Sequence, residues 1–234
     1  MKAQKRLSTS HLIIFRLCLI AVAAVAITVT GIVFHQSPFR MVPLYVSLVV
    51  GLLQAQANRY APLIGGFNAI LHAAVSFHFG TYASAASALF TSCPLQLATF
   101  VRWSRHSYKH STEFRRLNTK QRLVVIGGFI VCYAAVYAML TAADSSYRVL
   151  DTVSSLLGLL ISILTMLSFI EYTYLMIPSG ILSIALNINV TMDYPAQITY
   201  VIYSVYSFIC IVQQFFTVRN LYAEQRADKA AVQQ

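Results

Sequence analysis

Charged side chains are scarce in this sequence of 234 residues. Aspartate, glutamate, lysine and arginine together make up 10% of it, and only seven residues are acidic. A soluble domain usually carries about 25% charged residues. Hydrophobic residues make up 58% of the chain, which is far more than a disordered chain contains. The composition therefore excludes a water-facing surface of ordinary polarity and predicts an integral membrane protein.

Several chemical signatures are also missing. The four cysteines, Cys18, Cys93, Cys132 and Cys210, lie within apolar runs and are not spaced as metal ligands. We expect them to be small buried hydrophobic residues, without a disulfide framework or a zinc site. A glycine-rich phosphate-binding loop, a nucleophile–base pair and a metal-ligand cluster are absent as well. The sequence thus predicts neither an enzyme nor a bound metal or cofactor.

Apolar runs long enough to cross a bilayer recur along the chain. A membrane helix needs roughly 20 mainly apolar residues. The runs near that length cover residues 12–34, 42–58, 61–79, 83–101, 123–143, 150–170, 174–191 and 196–218. The first follows MKAQKR, as in a signal peptide, but it is longer than the apolar region of about 7–15 residues typical of such peptides. We therefore predict an all-α protein with eight transmembrane helices, and we expect the first helix to stay in the mature protein and not to be cleaved as a signal peptide.

The basic residues orient these helices. Fourteen lysines and arginines fall on one side if the N-terminus is cytoplasmic, seven of them in residues 102–122, whereas the other side keeps Arg40 and Arg148. Loops rich in lysine and arginine stay in the cytoplasm. Both termini are therefore predicted to be cytoplasmic, with the protein in the inner (plasma) membrane. No nucleic-acid-binding motif accompanies the basic loop, so we expect no nucleic-acid partner.

Two groups of three helices begin and turn alike. Gly-Leu-Leu occurs at 51–53 and 158–160, and a tyrosine follows the second helix of each group, Tyr82 and Tyr194. Three helices, one inverting helix and three more helices place the groups parallel, as in some transporters. We predict an N-terminal tail and extra helix at 1–40, a first three-helix bundle at 41–104, a basic cytoplasmic loop and linker helix at 105–145, a second bundle at 146–222, and a frayed, solvated cytoplasmic tail at 223–234.

Uncharged polar residues lie inside these apolar helices. In GGFNAILHAAVSFHFGTY, residues 65–82, Asn68 and His72 share one helical face. An unpaired amide in hydrocarbon costs several kcal/mol, so Asn68 must face protein or water. A solute pathway and simple hydrogen bonding between helices both meet that requirement. Pro94 and Pro178 interrupt helices of the two groups, a feature that points to a solute site, although prolines are common in membrane helices.

Other candidates lie at similar depths. Gln96 follows Pro94, and we favour Asn187 over Asn189 for the interior because residues two apart do not share a helical face. Tyr200, Tyr203 and Tyr206 recur every third residue, either as an aromatic wall or as ordinary packing. Trp103, next to Arg102, is predicted to be an interfacial anchor.

The acidic residues lie in loops, tails or helix ends. Carriers coupled to ions or protons usually keep an ionisable residue at membrane depth, and here only Arg16 lies within a predicted span, near its cytoplasmic end. A pocket of amides and aromatics without fixed charge suits a ring-bearing, hydroxyl-rich solute that is neutral or carries delocalised charge. Sugars, nucleosides and several B vitamins fit that description.

Residues 42–222 resemble the nicotinamide riboside transporter family, the PnuC-type vitamin facilitators with a SWEET-like fold. The positions that carry the resemblance are Arg59, Pro62, Asn68, Gly80 and Tyr82 in FGTYA, Trp103, Leu150, Asp151, Glu171, Tyr172, Tyr194 and Tyr203. The resemblance implies facilitated uptake of nicotinamide riboside, an NAD precursor, by alternating access. Intracellular phosphorylation would trap the product.

The sequence departs from that family at two places. EYTYLMIPSG, which begins at Glu171, lacks the tryptophans typical of the family, and His72 replaces a tyrosine. Thiamine, riboflavin and deoxynucleosides therefore remain alternative substrates. Two alternative functions also remain: a transport component that needs a separate energising partner, and a membrane signalling or interaction protein. A homo-oligomer is compatible with the sequence. The predicted substrate-binding residues are Asn68, His72, Gln96, Tyr172, Asn187, Tyr200 and Tyr203.

Overall fold

The computed structural model describes residues 2–78, 82–142 and 148–232. Gly80 of the predicted corner lies outside them. The helices are α1 (Lys2–Val33), α2 (Pro38–Ala55), α3 (Ala61–His78), α4 (Tyr82–Ser87), α5 (Cys93–Arg105), α6 (Thr119–Ala142), α7 (Arg148–Met166), α8 (Glu171–Asp193) and α9 (Ile198–Val232). A π-helical segment, Ala88–Ser92, joins α4 to α5, and a 3-10 turn, Pro195–Gln197, precedes α9. Strands β1 (Ser107–Tyr108) and β2 (Ser111–Thr112) form an antiparallel hairpin between α5 and α6.

The chain reverses at residues with left-handed backbone conformations. His35 and Ala57 have φ of 49° and 50° and follow α1 and α2, while Ser168 has φ of 61° between α7 and α8. Lys109, with φ of 53°, occupies the turn of the β-hairpin. Such conformations are uncommon for residues other than glycine and end a helix. They place consecutive helices antiparallel with short connections.

Five helices are long and apolar enough to cross a membrane. They are Ile14–Val33, Pro38–Ala55, Thr119–Ala138, Glu171–Asp193 and Pro195–Val232, and α7 contains a shorter apolar stretch, Val153–Met166. Among the described residues, α3 and the α4–α5 pair do not meet this criterion. Polar residues lower the mean hydropathy of α3, and the π-helical segment divides the predicted span at 83–101.

Six helices enclose the centre of the bundle. Going around it, α2 packs on α3, α3 on α5, α5 on α7, α7 on α8, α8 on α9, and α9 returns to α2. Helix α1 packs outside this ring against α9 and α2, and α6 packs outside it against α7. This peripheral position explains why Cys18 and Cys132 are exposed, contrary to the expectation that all four cysteines are buried; Cys93 and Cys210 are buried.

The two predicted proline interruptions differ. Pro94 lies at the start of α5, directly after the π-helical segment, so the third helix of the first group is irregular there. Helix α8 continues through Pro178 from Glu171 to Asp193, so the predicted break in this helix is absent.

The Gly-Leu-Leu sequence that the two groups share is packed differently in each group. A Cβ atom on Gly51 would lie 3.1 Å from the Tyr206 ring, whereas one on Gly158 would meet nothing within 4 Å.

The basic loop and the C-terminal tail form one packed unit. Gln225 is buried, its Oε1 accepts a 3.1 Å hydrogen bond from the Phe114 amide, and its Nε2 donates a 2.8 Å bond to the Thr112 carbonyl. Lys109 lies 2.5 Å from Glu224. The tail predicted to be frayed and solvated is therefore helical to Val232 and packs on the hairpin. We call this part of the bundle the hairpin end.

Candidate functional site

A cavity lies inside the ring, near the hairpin end. Its volume is about 80 Å³. Small-molecule sites usually have volumes of about 300–1,000 Å³, so the cavity must widen to admit a solute of nucleoside size. Each helix of the ring contributes to the wall: Gln54 from α2, Pro62 from α3, Gln96 from α5, Ser162 from α7, Tyr172 from α8 and Gln214 from α9. The cavity therefore lies between the two groups of three helices.

Its lining is uncharged and combines polar with apolar side chains. The amide and hydroxyl side chains are Gln54, Asn58, Gln96, Thr99, Ser162, Thr165 and Gln214, and the aromatic ones are Trp103 and Tyr172. Among the described residues around the cavity there is no lysine, arginine, aspartate or glutamate. The hydroxyls of Thr99, Ser162 and Thr165 donate to carbonyls of their own helices. Their oxygen lone pairs remain available as hydrogen-bond acceptors.

Gln214 and Tyr172 connect the wall across α8 and α9. The Gln214 Nε2 atom donates a 3.0 Å hydrogen bond to the hydroxyl oxygen of Tyr172, which is fully buried. The other amide atom, Gln214 Oε1, is buried and has no hydrogen-bond partner. Leaving a buried acceptor unpaired costs about 1–3 kcal/mol. A ligand donor in the cavity would remove this cost.

Trp103 is part of the wall and not an interfacial anchor as predicted. Only 2% of its surface is exposed, and its Nε1 atom donates a 2.9 Å hydrogen bond to the Thr165 carbonyl. Its ring meets Phe114 edge to face at 6.0 Å. The end of α5 packs against α7 here, so protein surrounds the indole. The position next to Arg102 in the sequence could not reveal that contact.

The paired glycines at the start of α3 explain how Gln96 reaches the cavity. A Cβ atom on Gly65 would lie 3.2 Å from Gln96 Cδ, and one on Gly66 would lie 3.0 Å from Leu97 Cδ2. The absence of side chains at Gly65 and Gly66 lets α5 approach α3 closely. Pro94 and the π-helical segment lie one turn before Gln96, and such irregular segments are frequent at functional sites.

Asn68 belongs to a second polar cluster, which also contains Ser47 and Tyr203. The Asn68 Nδ2 atom donates a 2.7 Å hydrogen bond to Ser47 Oγ, and the Tyr203 hydroxyl interacts with the same serine. Asn68 is buried, and its Oδ1 atom has no hydrogen-bond partner. This Asn68–Ser47–Tyr203 cluster joins α3, α2 and α9. His72 is half-buried one turn further along α3.

The remaining predicted residues lie elsewhere. The Tyr200 ring lies 5.5 Å from the Arg40 guanidinium, and Arg40 also donates a 3.0 Å hydrogen bond to Gln197. These contacts hold α2 against the start of α9, at the end opposite the hairpin. The Asn187 amide donates to the Ser183 carbonyl of its own helix at 2.9 Å. Of the seven predicted residues, therefore, Gln96 and Tyr172 line the cavity, Asn68 and Tyr203 form the second cluster, and His72, Asn187 and Tyr200 belong to neither.

Three amides in the wall were not among the predicted residues: Gln54, Asn58 and Gln214. The criterion that selected Asn68, an amide within an apolar helix, also applies to Gln214 in IVQQFF. Gln54 and Asn58 lie at the end of the predicted span 42–58, where α2 ends and the connection to α3 begins. Their proximity to α8 and α9 depends on closure of the ring, which local sequence does not specify.

Comparison with known proteins gives two matches. The model of a family described as nicotinamide mononucleotide transporter matches residues 37–215. A crystal structure of the vitamin B3 transporter PnuC is similar to this chain with a TM-score of 0.63 at 20% sequence identity. The similarity covers 86% of this chain and 90% of that one, so the two share a fold. No curated protein sequence matches the chain.

Proposed function

Because the chain belongs to the nicotinamide mononucleotide transporter family, we propose that it carries a nucleoside-like vitamin precursor across the membrane, with nicotinamide riboside as the first candidate. The cavity between the two groups of helices supports this proposal. Its amides and hydroxyls can exchange hydrogen bonds with a carboxamide and a ribose. Its aromatic side chains suit a ring with delocalised positive charge, such as the pyridinium of this riboside.

The uncharged lining favours the riboside over the mononucleotide. A bound phosphate usually requires arginine, lysine or a helix N-terminus. The described residues that line the cavity include no cation. A phosphate placed there would lose its hydration without a matching partner. The same reasoning fits trapping by phosphorylation inside the cell, because the phosphorylated product would be a poor ligand for return.

The arrangement of the helices supports alternating access by two like-facing halves. The first half consists of α2, α3 and the α4–α5 pair, and the second of α7, α8 and α9. The ring closes through α5 against α7 and through α9 against α2, which are corresponding contacts if the halves are parallel repeats. We propose that the chain has eight transmembrane segments and that both termini lie in the cytoplasm of the cell that takes up the solute. The two halves would rock against each other and open the cavity to one side of the membrane at a time.

The proposed pathway continues from the cavity to the Asn68–Ser47–Tyr203 cluster. An unpaired amide oxygen at Asn68 would be satisfied by water or by a passing hydroxyl group. His72 and Tyr200 lie closer to the opposite end, where Arg40 ties α2 to α9. We propose that this end is closed in the present structure. Asn187, whose amide is occupied within α8, remains a predicted contact for a different conformation.

Facilitated diffusion fits the absence of a coupling residue. Arg16, a charged residue within an apolar helix, donates a 3.1 Å hydrogen bond from Nε to Gln213 Oε1 outside the cavity. Coupled carriers place ionisable groups on the substrate pathway. With no such group along the described lining of the cavity, the solute would equilibrate across the membrane.

A thermal-shift screen of the purified protein tests the substrate. A ligand that binds the native state raises the unfolding midpoint, and the shift grows with the logarithm of the ligand concentration above Kd. We expect a shift with nicotinamide riboside and a smaller one, or none, with nicotinamide mononucleotide. A larger shift with thiamine, riboflavin or a deoxynucleoside would replace the riboside as substrate. No shift with any of these compounds would contradict the proposed function.

A further inference from the structure

A second concave surface lies at the hairpin end, outside the ring, between the start of α6, the start of α8 and the last part of α9. Its polar lining consists of four arginines and one glutamate, Arg116, Arg122, Arg219, Arg226 and Glu171. The apolar lining is formed by Leu117, Val125, Ile126, Leu164, Ile170 and Leu175, together with Tyr174 and Tyr222. We call this surface the arginine groove. It shares no lining residue with the cavity.

The groove has excess positive charge next to apolar walls. Glu171 Oε1 lies 3.2 Å from Arg122 Nη2 and 4.0 Å from Arg116 Nε, so one carboxylate oxygen meets two guanidinium groups. The same oxygen accepts a 3.1 Å hydrogen bond from the Leu117 amide. Arg219 rests on the Phe215 ring, 5.4 Å from its centroid. Four arginines against one glutamate leave the described lining with a charge of +3.

The location of the groove makes it accessible from the bilayer. Val125 and Ile126 belong to α6, which packs against α7 and has an apolar span, Thr119–Ala138, whose residues are not buried inside the protein. The arginines lie at the end of the helices beside the basic hairpin, where the polar surface begins. Arginines above an apolar wall match an anionic phospholipid, with phosphate bound to guanidinium groups and acyl chains against the side chains of α6 and α8.

We propose that the arginine groove binds an anionic phospholipid of the cytoplasmic leaflet. The positive charge of the groove favours a ligand with a phosphate group. The apolar wall favours a lipid over inorganic phosphate, because inorganic phosphate would contact only the arginines. Binding would hold the hairpin, α6 and α9 together at the membrane surface. The proposal concerns a surface separate from the solute cavity and does not depend on which solute is carried.

The test compares protein in nanodiscs of phosphatidylcholine with protein in nanodiscs that also contain phosphatidylglycerol. We expect phosphatidylglycerol to raise the unfolding midpoint. The double variant Arg219→Gln/Arg226→Gln should lose about half of that increase, since it removes two of four cations. The control Arg59→Gln/Arg105→Gln removes the same charge at the same end but outside the groove, and it should keep the increase. Equal responses of the two double variants would overturn the proposal.

A second variant separates the apolar wall from the charge. Ala223 lines the groove on α9 and is exposed, so Ala223→Trp fills the groove without removing an arginine. It should weaken the effect of phosphatidylglycerol, whereas Ala230→Trp on the same helix should not. An equal midpoint shift from inorganic phosphate at matched ionic strength would replace the lipid by a soluble anion. If phosphatidylglycerol acts by promoting dimers, light scattering will show a change in mass, which would also overturn the lipid site.

Discussion

Gln214 of α9 donates a 3.0 Å hydrogen bond to the hydroxyl of Tyr172 of α8, and its own carbonyl oxygen is buried without a partner. One amide thus fixes a buried tyrosine in the wall of the cavity and offers an acceptor to whatever enters. The pair joins two helices of the same half of the ring. This relationship makes Gln214 the most informative position for substitution.

We predict that Gln214→Leu weakens solute binding roughly tenfold, or about 1.4 kcal/mol, because it removes an acceptor and leaves the Tyr172 hydroxyl unpaired. Isothermal titration with the substrate found by thermal shift measures the effect. Gln213→Leu is the matched control, since Gln213 binds Arg16 outside the cavity. Equal loss of affinity in both variants would indicate a general effect on α9 and not a contact with the solute.

Gly65→Ala is predicted to weaken binding several-fold without unfolding the protein. The new methyl group would lie 3.2 Å from Gln96 Cδ, so the amide must move by a few tenths of an ångström. Packing of this kind displaces a side chain more readily than a helix. The control is Gly127→Ala, where the added Cβ would meet nothing within 4 Å. Unchanged affinity in Gly65→Ala would show that the position of Gln96 is not critical.

Asn68→Leu is predicted to slow uptake strongly while the unfolding midpoint changes little. Leucine has a similar size but cannot bond Ser47 or a passing solute, and it removes the unpaired oxygen of Asn68. Initial rates in proteoliposomes measure the effect. Asn189→Leu on the exposed surface of α8 serves as the control. Full uptake by Asn68→Leu would place the pathway away from this cluster.

The contact between tail and hairpin should weaken in acid. Its hydrogen bond with Lys229 lowers the pKa of Glu113 below the ordinary value of 4.5. A lowered pKa means that the carboxylate stabilises the folded contact above pH 4.5 and that this contribution is lost as pH falls through the folded-state pKa. The protection factors of residues 224–230 against hydrogen exchange, which correct for the intrinsic pH dependence of the rate, should therefore fall as the pH drops below 4.5. Glu113→Gln should remove this part of the pH dependence.

Gln225→Ala tests the same contact at neutral pH. It leaves the Phe114 amide and the Thr112 carbonyl without their partner, at a cost of about 1–3 kcal/mol for each group that stays buried. We predict faster hydrogen exchange in the hairpin and the tail and unchanged solute affinity. Asn220, which is exposed on the same helix, provides the control as Asn220→Ala. No change in exchange would mean that the apolar contacts of α9 alone hold the tail.

The sequence predicted those features that depend on local composition. Apolar runs located most helix ends to within four residues, but α1 begins ten residues before its predicted span and α9 ends fourteen residues after its own. Pro94 correctly marked an irregular helix, because a proline acts within one or two turns. The hairpin and the packed tail were missed because they rest on distant contacts, such as that of Gln225 with Thr112. Two-residue strands carry no periodicity that could be detected.

The candidate site was predictable in kind and only partly in position. An amide and aromatic pocket without fixed charge was expected, and the cavity has that chemistry. Gln96 and Tyr172, two of the predicted residues, line the cavity. The inward positions of Trp103 and Gln214 depend on which faces of α5 and α9 turn toward the centre of the ring. Helix rotation follows from packing around the whole ring. A pattern of polar residues in one helix does not reveal it.

Counterflow in proteoliposomes tests the central claim most directly. Vesicles loaded with unlabelled nicotinamide riboside are diluted into a trace of the labelled compound, with no ion gradient and no nucleotide. We predict transient accumulation of label by the wild type, strong reduction by Gln214→Leu, and no counterflow of labelled nicotinamide mononucleotide. Equal counterflow of the mononucleotide, or full activity of Gln214→Leu, would contradict a riboside site in the uncharged cavity.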